Sequence, residues 1–219
     1  MRKFLFVLVF FSIIYCSTSA EEISKLKVRP WVSLSSLWGQ GGAGIKAMDK
    51  NGIEYVIPYS FVWDFEEDFT YHEISPYIGY DSYRIGLKYR RQLHQDEYSP
   101  FVGYFVPFRF HNPITIYNEA EYRMNSVVKD SDYFRTRHIF TVYASDEFRE
   151  KYFIRPYVSL DSFIDWEEIR DEKIRLSFGY FLYFERVTAR VYFTPWSNGT
   201  KEREWDDQNN FGASVTYKW

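Results

Sequence analysis

The carboxyl-terminal stretch Phe211-Gly-Ala-Ser-Val-Thr-Tyr-Lys-Trp219 alternates without a fault. Phe211, Ala213, Val215, Tyr217 and Trp219 form one row; Gly212, Ser214, Thr216 and Lys218 form the other. Successive side chains of a strand point to opposite faces, so this pattern asks for one oily side and one wet side. An aromatic locked into the apolar row at the last position is rare in a soluble sheet. The strand therefore constrains the rest of the chain. If its oily side meets hydrocarbon, most of the sequence should repeat the alternation in strands long enough to cross a bilayer.

It does. Alternating segments fall at about 28–38, 44–48, 53–63, 70–80, 83–93, 100–110, 114–124, 133–144, 152–162, 173–183, 187–194 and 211–219. The expected fold is all-β, a transmembrane antiparallel up-and-down β-barrel of about 12 strands. The segment 44–48 is the faintest, and without it and a partner the number becomes 10. With both ends on one side, the odd connectors are 39–43, 64–69, 94–99, 125–132, 163–172 and 195–210, expected to be long and external. The even connectors carry tight-turn residues, such as Asp49-Lys-Asn-Gly52 and Asp81-Ser82, and are expected to be short and internal; only 145–151 is longer. No linker interrupts the series, so residues 21–219 read as one domain.

Residues 1–20 read as a secretory signal. Arg2 and Lys3 precede an apolar run from Phe4 to Tyr15, and Thr18-Ser19-Ala20 supplies small residues for cleavage. Cys16 lacks the small residues that lipidation requires before it. Past the signal there is no cysteine, which excludes disulfide and thiol chemistry. No apolar run there is long enough for a membrane helix, yet 22% of all residues are Phe, Trp or Tyr, as strands with one lipid-facing row would require. Acidic residues (30) outnumber Lys and Arg (27), so nothing in the overall charge suggests nucleic acid. Where the charges sit is more informative.

When the apolar row of each strand is assigned to lipid, Arg84, Lys88 and Arg90 turn inward, with Arg91 an exception facing out. Arg135, Arg137, Arg155, Lys173, Arg175 and Arg190 share the inward parity, and Arg109, Arg123 and Lys218 are assigned with them. Only Glu119, Glu121 and Asp161 oppose them; other acids gather in connectors 163–172 and 195–210. An Arg or Lys at the lipid midplane costs about 2–4 kcal/mol, so a common parity is information about the inside. A ladder of arginines in a narrow wet pore would attract anions. Inward Tyr117, Tyr133, Tyr143, Tyr157 and Tyr192 could stack on sugar rings. The plainer reading pairs the three acids with some arginines and leaves the others as hydrated filler. Small barrels fill their interiors and large ones hold open channels, and twelve strands lie between.

A weak repeat joins Val28-Arg-Pro-Trp-Val-Ser-Leu34 to Ile154-Arg-Pro-Tyr-Val-Ser-Leu160, with looser copies at Ile74-Ser-Pro-Tyr77 and Tyr98-Ser-Pro-Phe101. It reads as a strand-start device, because proline cannot donate to a ladder.

The closing strand, with Phe211, Val215, Tyr217 and Trp219, resembles the signal that bacterial outer-membrane barrels present to the barrel-assembly machinery. Together with the Arg155-Pro156-Tyr157 strand and its neighbours bearing Arg135, Arg137, Arg175 and Arg190, the chain resembles small outer-membrane channels. The likeness is in particular to the oligogalacturonate-specific porin family, and also to outer-membrane barrels of unknown function. The resemblance implies an integral protein of the Gram-negative outer membrane, in contact with lipid and lipopolysaccharide. It further implies diffusion of small acidic solutes and no cofactor.

Two other readings stand beside it. One is a non-conducting surface barrel that binds a partner or lipopolysaccharide through connectors bearing Trp166, Trp196 and Trp205. The other is a lipid A or phospholipid acyl hydrolase, because Pro195-Trp-Ser-Asn-Gly199 resembles the His-x-Ser-Asn segment of such barrels. There Pro195 replaces the histidine base, leaving Ser197 unactivated, and Asn209 stands where an acid belongs, so no catalytic residue is assigned. Ser-Asn-Gly reads as a turn. The four histidines, His72, His94, His111 and His138, share no metal-ligand spacing, so no metal site is assigned. His72 and His138 fall on the lipid-facing parity, and His138 raises the prospect of a register slip.

Overall fold

The computed structural model describes residues 23–35, 38–64, 70–91, 96–125, 132–166, 170–199 and 205–217. The expected signal 1–20, His94, and the terminal Lys218 and Trp219 lie outside them.

The strands are β1 (Ile23–Ser35), β2 (Trp38–Asp49), β3 (Glu54–Asp64), β4 (Thr70–Ile74), β5 (Tyr77–Tyr80), β6 (Tyr83–Arg91), β7 (Asp96–Phe108) and β8 (Ile114–Asn125). They continue with β9 (Tyr133–Tyr143), β10 (Ile154–Asp165), β11 (Arg170–Tyr183), β12 (Val187–Gly199) and β13 (Trp205–Tyr217). One helix, α1 (Asp146–Tyr152), interrupts the series between β9 and β10. Apart from β4 and β5, which do not pair with each other, sequence neighbours pair antiparallel, and β1 pairs with β13, which closes the sheet on itself. Closure leaves no raw edge, the condition for placing a sheet in hydrocarbon.

β4 and β5 are halves of one crossing strand, because both lie between β3 and β6. Pro76 cannot donate, and the ladder is carried past it by Ser75 N–H to the Pro58 carbonyl (3.1 Å) and Leu87 N–H to the Pro76 carbonyl (3.0 Å). The barrel therefore has twelve strands, and the ten-strand alternative falls away.

The oily row lies on the outer wall. Val158 sits opposite Phe178, Leu160 between Phe140 and Leu176, Ile85 opposite Val102, and Tyr180 opposite Val191, all of them exposed apart from the barrel's own contacts. Phe193 and Phe211 stack with centroids 4.4 Å apart. Val215 faces Ala189 on one side and Val32 across the closing joint on the other, continuing the belt round the ring.

The structure corrects several boundaries. β2 runs over twelve residues rather than 44–48. Its outward row contains Gly39 and Gly41, and their apolar cover comes from the neighbouring strand. A Cβ on Gly39 would stand 1.9 Å from the Trp63 ring, and one on Gly41 3.0 Å from the Phe61 ring. β10 reaches Asp165, β11 begins at Arg170, β12 runs to Gly199 and β13 begins at Trp205, so the connectors expected at 163–172 and 195–210 shrink. The longest interval between strands is 144–153, at the opposite end of the barrel, here called the turn end.

That interval folds into α1 because Ser145 caps it, accepting from Phe148 N–H (3.2 Å), with Asp146 and Glu147 in the first turn. Phe153 ends it in the left-handed region at φ 56°, donating to the Arg149 carbonyl (2.8 Å). None of its residues is buried.

Candidate functional site

The inward rows enclose a lumen in which charge is sorted by height. At the end opposite the turns, the strand registers place acids beside bases. Arg90 lies opposite Glu73 on one side and Glu97 on the other, at 2.8 and 3.2 Å. Glu97 also holds Arg123. Arg123 donates to the Tyr133 hydroxyl (2.6 Å). Lys88 bridges Glu119 and Glu121 (2.7 Å to the latter), and Glu121 also takes Arg135, its register partner.

Midway, Arg137 grips both oxygens of Asp161 at 2.9 Å, and Arg175 binds the same carboxylate. Arg135, Arg137 and Arg175 crowd round one ring, with guanidinium carbons 4.7, 4.9 and 5.0 Å from the Phe163 centroid. Glu119 stands opposite Arg137 and the buried Asp165 opposite Arg135, so acids and bases alternate round this waist.

Toward the turn end, aromatic rings take over from carboxylates. Arg84 lies among Tyr77, Phe105 and Tyr117, 5.3 to 5.8 Å from their centroids. Arg190 donates to the Tyr157 hydroxyl (2.6 Å) and lies 4.7 Å from the centroids of Tyr157 and Tyr192. Among the described residues neither arginine has an ion-pair partner. The rings reach into the lumen because they lie over glycines. A Cβ on Gly179 would meet Tyr157 at 2.9 Å, and one on Gly86 would meet Tyr77 and Phe101 at 2.7 and 2.8 Å. This is what the Pro-aromatic repeat builds. Pro100 and Pro156 face out while Phe101 and Tyr157 are buried inside, and Pro100 stands well into β7, not at its start.

Two cavities, of about 540 and 720 Å³, occupy the lumen. Gln40, Arg137 and Arg175 border both, so the waist stands between them. Arg190, Tyr143, Tyr157 and Tyr192 line the smaller, and Arg84, Lys88, Arg90, Arg135, Lys173 and Tyr117 the larger. On the β13 side the wall is small and polar, with Asn210, Ser214 and Thr216.

Of the basic residues expected inside, Arg155 lies at the turn end, donating to the Ala144 carbonyl (3.2 Å) and pairing with Asp146 of α1 (3.1 Å). Arg109 is not in the lumen. β7 ends at Phe108, so Arg109 leaves the wall and stands exposed at the turn-end mouth. Of the closing-strand residues, Phe211 and Val215 are exposed on the outer wall and Tyr217 ends β13. Glu73, Glu97, Phe163 and Phe181 were missed as inward residues. Parity could have found them, since Glu73 shares a row with Tyr77, Glu97 with Phe101, and Phe163 with Asp161.

No register slip explains His138. It lies on the outer wall within a chain of hydrogen bonds. Trp166 Nε1–H donates to Thr136 Oγ1 (2.9 Å), which is 3.1 Å from His138 Nε2, and His138 Nδ1 is 2.8 Å from Asn118 Oδ1. His72 Nδ1 is similarly 2.8 Å from the Tyr59 hydroxyl. Among the described residues no group of three or more His, Cys, Asp or Glu is arranged to hold a metal. Ser197 lies within β12, opposite Ile174 and Asp207, rather than in a turn.

No protein-family profile matches the chain, and no curated protein is similar to it in sequence. Solved structures are similar in fold. The NanC porin superposes with a TM-score of 0.55 at 12% identity, over 89% of this chain and 100% of that one. The KdgM porin in complex with disordered oligogalacturonate gives 0.56 at 7% identity, over 88% and 99%. At such identities the likeness is one of fold. With the closed twelve-stranded ring and its outer apolar belt, it shows that the chain has the β-barrel fold seen in small porins.

Proposed function

We propose that the protein is a narrow, anion-preferring channel for small acidic solutes, made without cofactor and delivered by a cleaved signal at residues 1–20. The observation that carries this reading is the excess of positive charge in the lumen. Arg84 and Arg190 sit on aromatic rings with no carboxylate. Such groups raise the local concentration of anions and repel cations, more so between low-dielectric walls. The paired residues at the other end (Glu73, Arg90, Glu97, Arg123) add shape without net attraction. KdgM was crystallised with an acidic oligosaccharide. The cavities here, split by the Arg137–Arg175 waist, suit single acidic units or short chains.

With the turn end in the periplasm, lipid and lipopolysaccharide surround the belt, and the barrel-assembly machinery reads Phe211, Val215, Tyr217 and Trp219. No acyl-hydrolase role is proposed, because the position of the base is Pro195.

The test is conductance in planar bilayers under a salt gradient. Discrete steps that reverse at an anion-selective potential are expected. Silent membranes would overturn the channel in favour of a surface barrel acting through its connectors.

A further inference from the structure

The turn-end mouth holds a third cavity, of about 520 Å³, formed between α1 and the turn that follows β7. Arg109, Arg149 and Arg155 border it, and Asp146 is the one acid on its lining. Its walls are aromatic. The Phe108 and Phe110 rings lie parallel within 2°, with centroids 6.0 Å apart. Arg155 is held 4.9 Å over Tyr143, and Arg149 5.9 Å over Tyr183. A guanidinium drawn to a ring face still has its N–H donors to offer an acceptor.

We infer that this mouth is a binding site for small carboxylates with a flat apolar body, and that Asp146 of α1 fills its acceptor position in the resting fold. One oxygen, Asp146 Oδ1, stands 3.1 Å from Arg155 Nη2 and 3.3 Å from Arg149 Nη1, which is how two guanidiniums would hold an incoming carboxylate. The internal acid is a weak occupant. Its side chain is 57% exposed, so solvent and salt screen the pair. α1 buries no side chain, so it can swing aside when a solute takes the place of Asp146. Arg149 also has Glu150 at 3.6 Å, which leaves Arg155 as the anchor of the site. The aromatic walls supply what the charges cannot, a preference for ring-bearing acids over compact ones.

The site extends the channel reading to one mouth, and equilibrium binding separates the two. Benzoate and acetate would be titrated calorimetrically into the folded protein in detergent micelles. Benzoate is expected to bind saturably and acetate more weakly. Asp146→Asn removes the competitor and should tighten benzoate about two- to fivefold, the range over which an exposed ion pair competes. Arg155→Gln should weaken it roughly tenfold or more, as loss of a charged hydrogen-bonding partner does. Arg149→Gln serves if that variant fails to show the gel shift of a folded barrel. Unchanged or weaker binding in Asp146→Asn overturns the inference, as does a lack of saturable benzoate binding in the parent protein. A pore that stays silent while benzoate binds would count against the channel alone.

Discussion

Arg137 holds Asp161 diagonally across the β9–β10 pair through two matched hydrogen bonds, Nε to Oδ1 and Nη2 to Oδ2, each 2.9 Å. The carboxylate is shared with Arg175, its register partner on β11. Three strands thus meet on one buried acid, and the waist of the lumen is set by that meeting.

Asp161→Asn would strand two guanidiniums where burial penalises unpaired charge. Removing one member of such a pair costs about 3–5 kcal/mol. Urea unfolding of the protein refolded into lipid vesicles should show this loss. The Asp161→Asn/Arg137→Gln double variant should lose less than the two single losses added, with a coupling of about 0.5–3 kcal/mol. A single variant as stable as the parent would show that the waist is held by something else.

Arg84→Gln and Arg190→Gln should each lower the ratio of anion to cation permeability, and together bring it toward unity. Neither arginine faces a carboxylate, so its charge is not spent on a partner. The control is Glu121→Gln/Arg135→Gln, which removes an acid and a base that pair with each other. Reversal potentials in that control should stay near those of the parent.

Leu160→Arg places a cation on the lipid-facing wall and should cost about 2–4 kcal/mol. Ser159→Arg, one residue away on the lumen side, should leave folding nearly intact. The folded fraction in vesicles reads both, and equal effects would undo the assignment of faces.

Gly86→Ala would bring a Cβ to 2.4 Å from the Pro76 carbonyl oxygen, a backbone atom that cannot step aside. Overpacking of this kind costs about 1–3 kcal/mol. Gly44→Ala is the comparison, because its Cβ would find nothing nearer than 3.9 Å. Urea midpoints should separate the two clearly.

Which face each strand turns to lipid was legible because hydrocarbon punishes mistakes. Arg84, Arg135, Arg155 and Arg175 had one tolerable side, and the structure puts them there. β2 was nearly lost because Gly39, Gly41, Gly42 and Gly44 carry no pattern; its oily cover is borrowed from Trp63 and Phe61. The end of β12 was hidden by its polar, turn-like Ser197-Asn198-Gly199, and that of β10 by the run of acids that follows Phe163 and Ile164. Glu73 and Glu97 escaped notice for a related reason. Their meaning lies in register against Arg90, and register is not written in either strand alone. α1 was readable in principle from Ser145 followed by Asp146 and Glu147, yet seven residues give too little periodicity to claim a helix. His138 looked misplaced because its three helpers are Asn118 on β8, Thr136 two residues away and Trp166 just past β10.

Among the described residues, the joint between the chain's first and last strands runs from Trp31 opposite Thr216 to Ser35 opposite Gly212. On its other side β1 pairs with β2 from Ile23 to Leu34. The ring is therefore shut by the two ends of the chain, the segments farthest apart in sequence. No shorter stretch can complete it, and a chain lacking β13 would keep two unpaired rims.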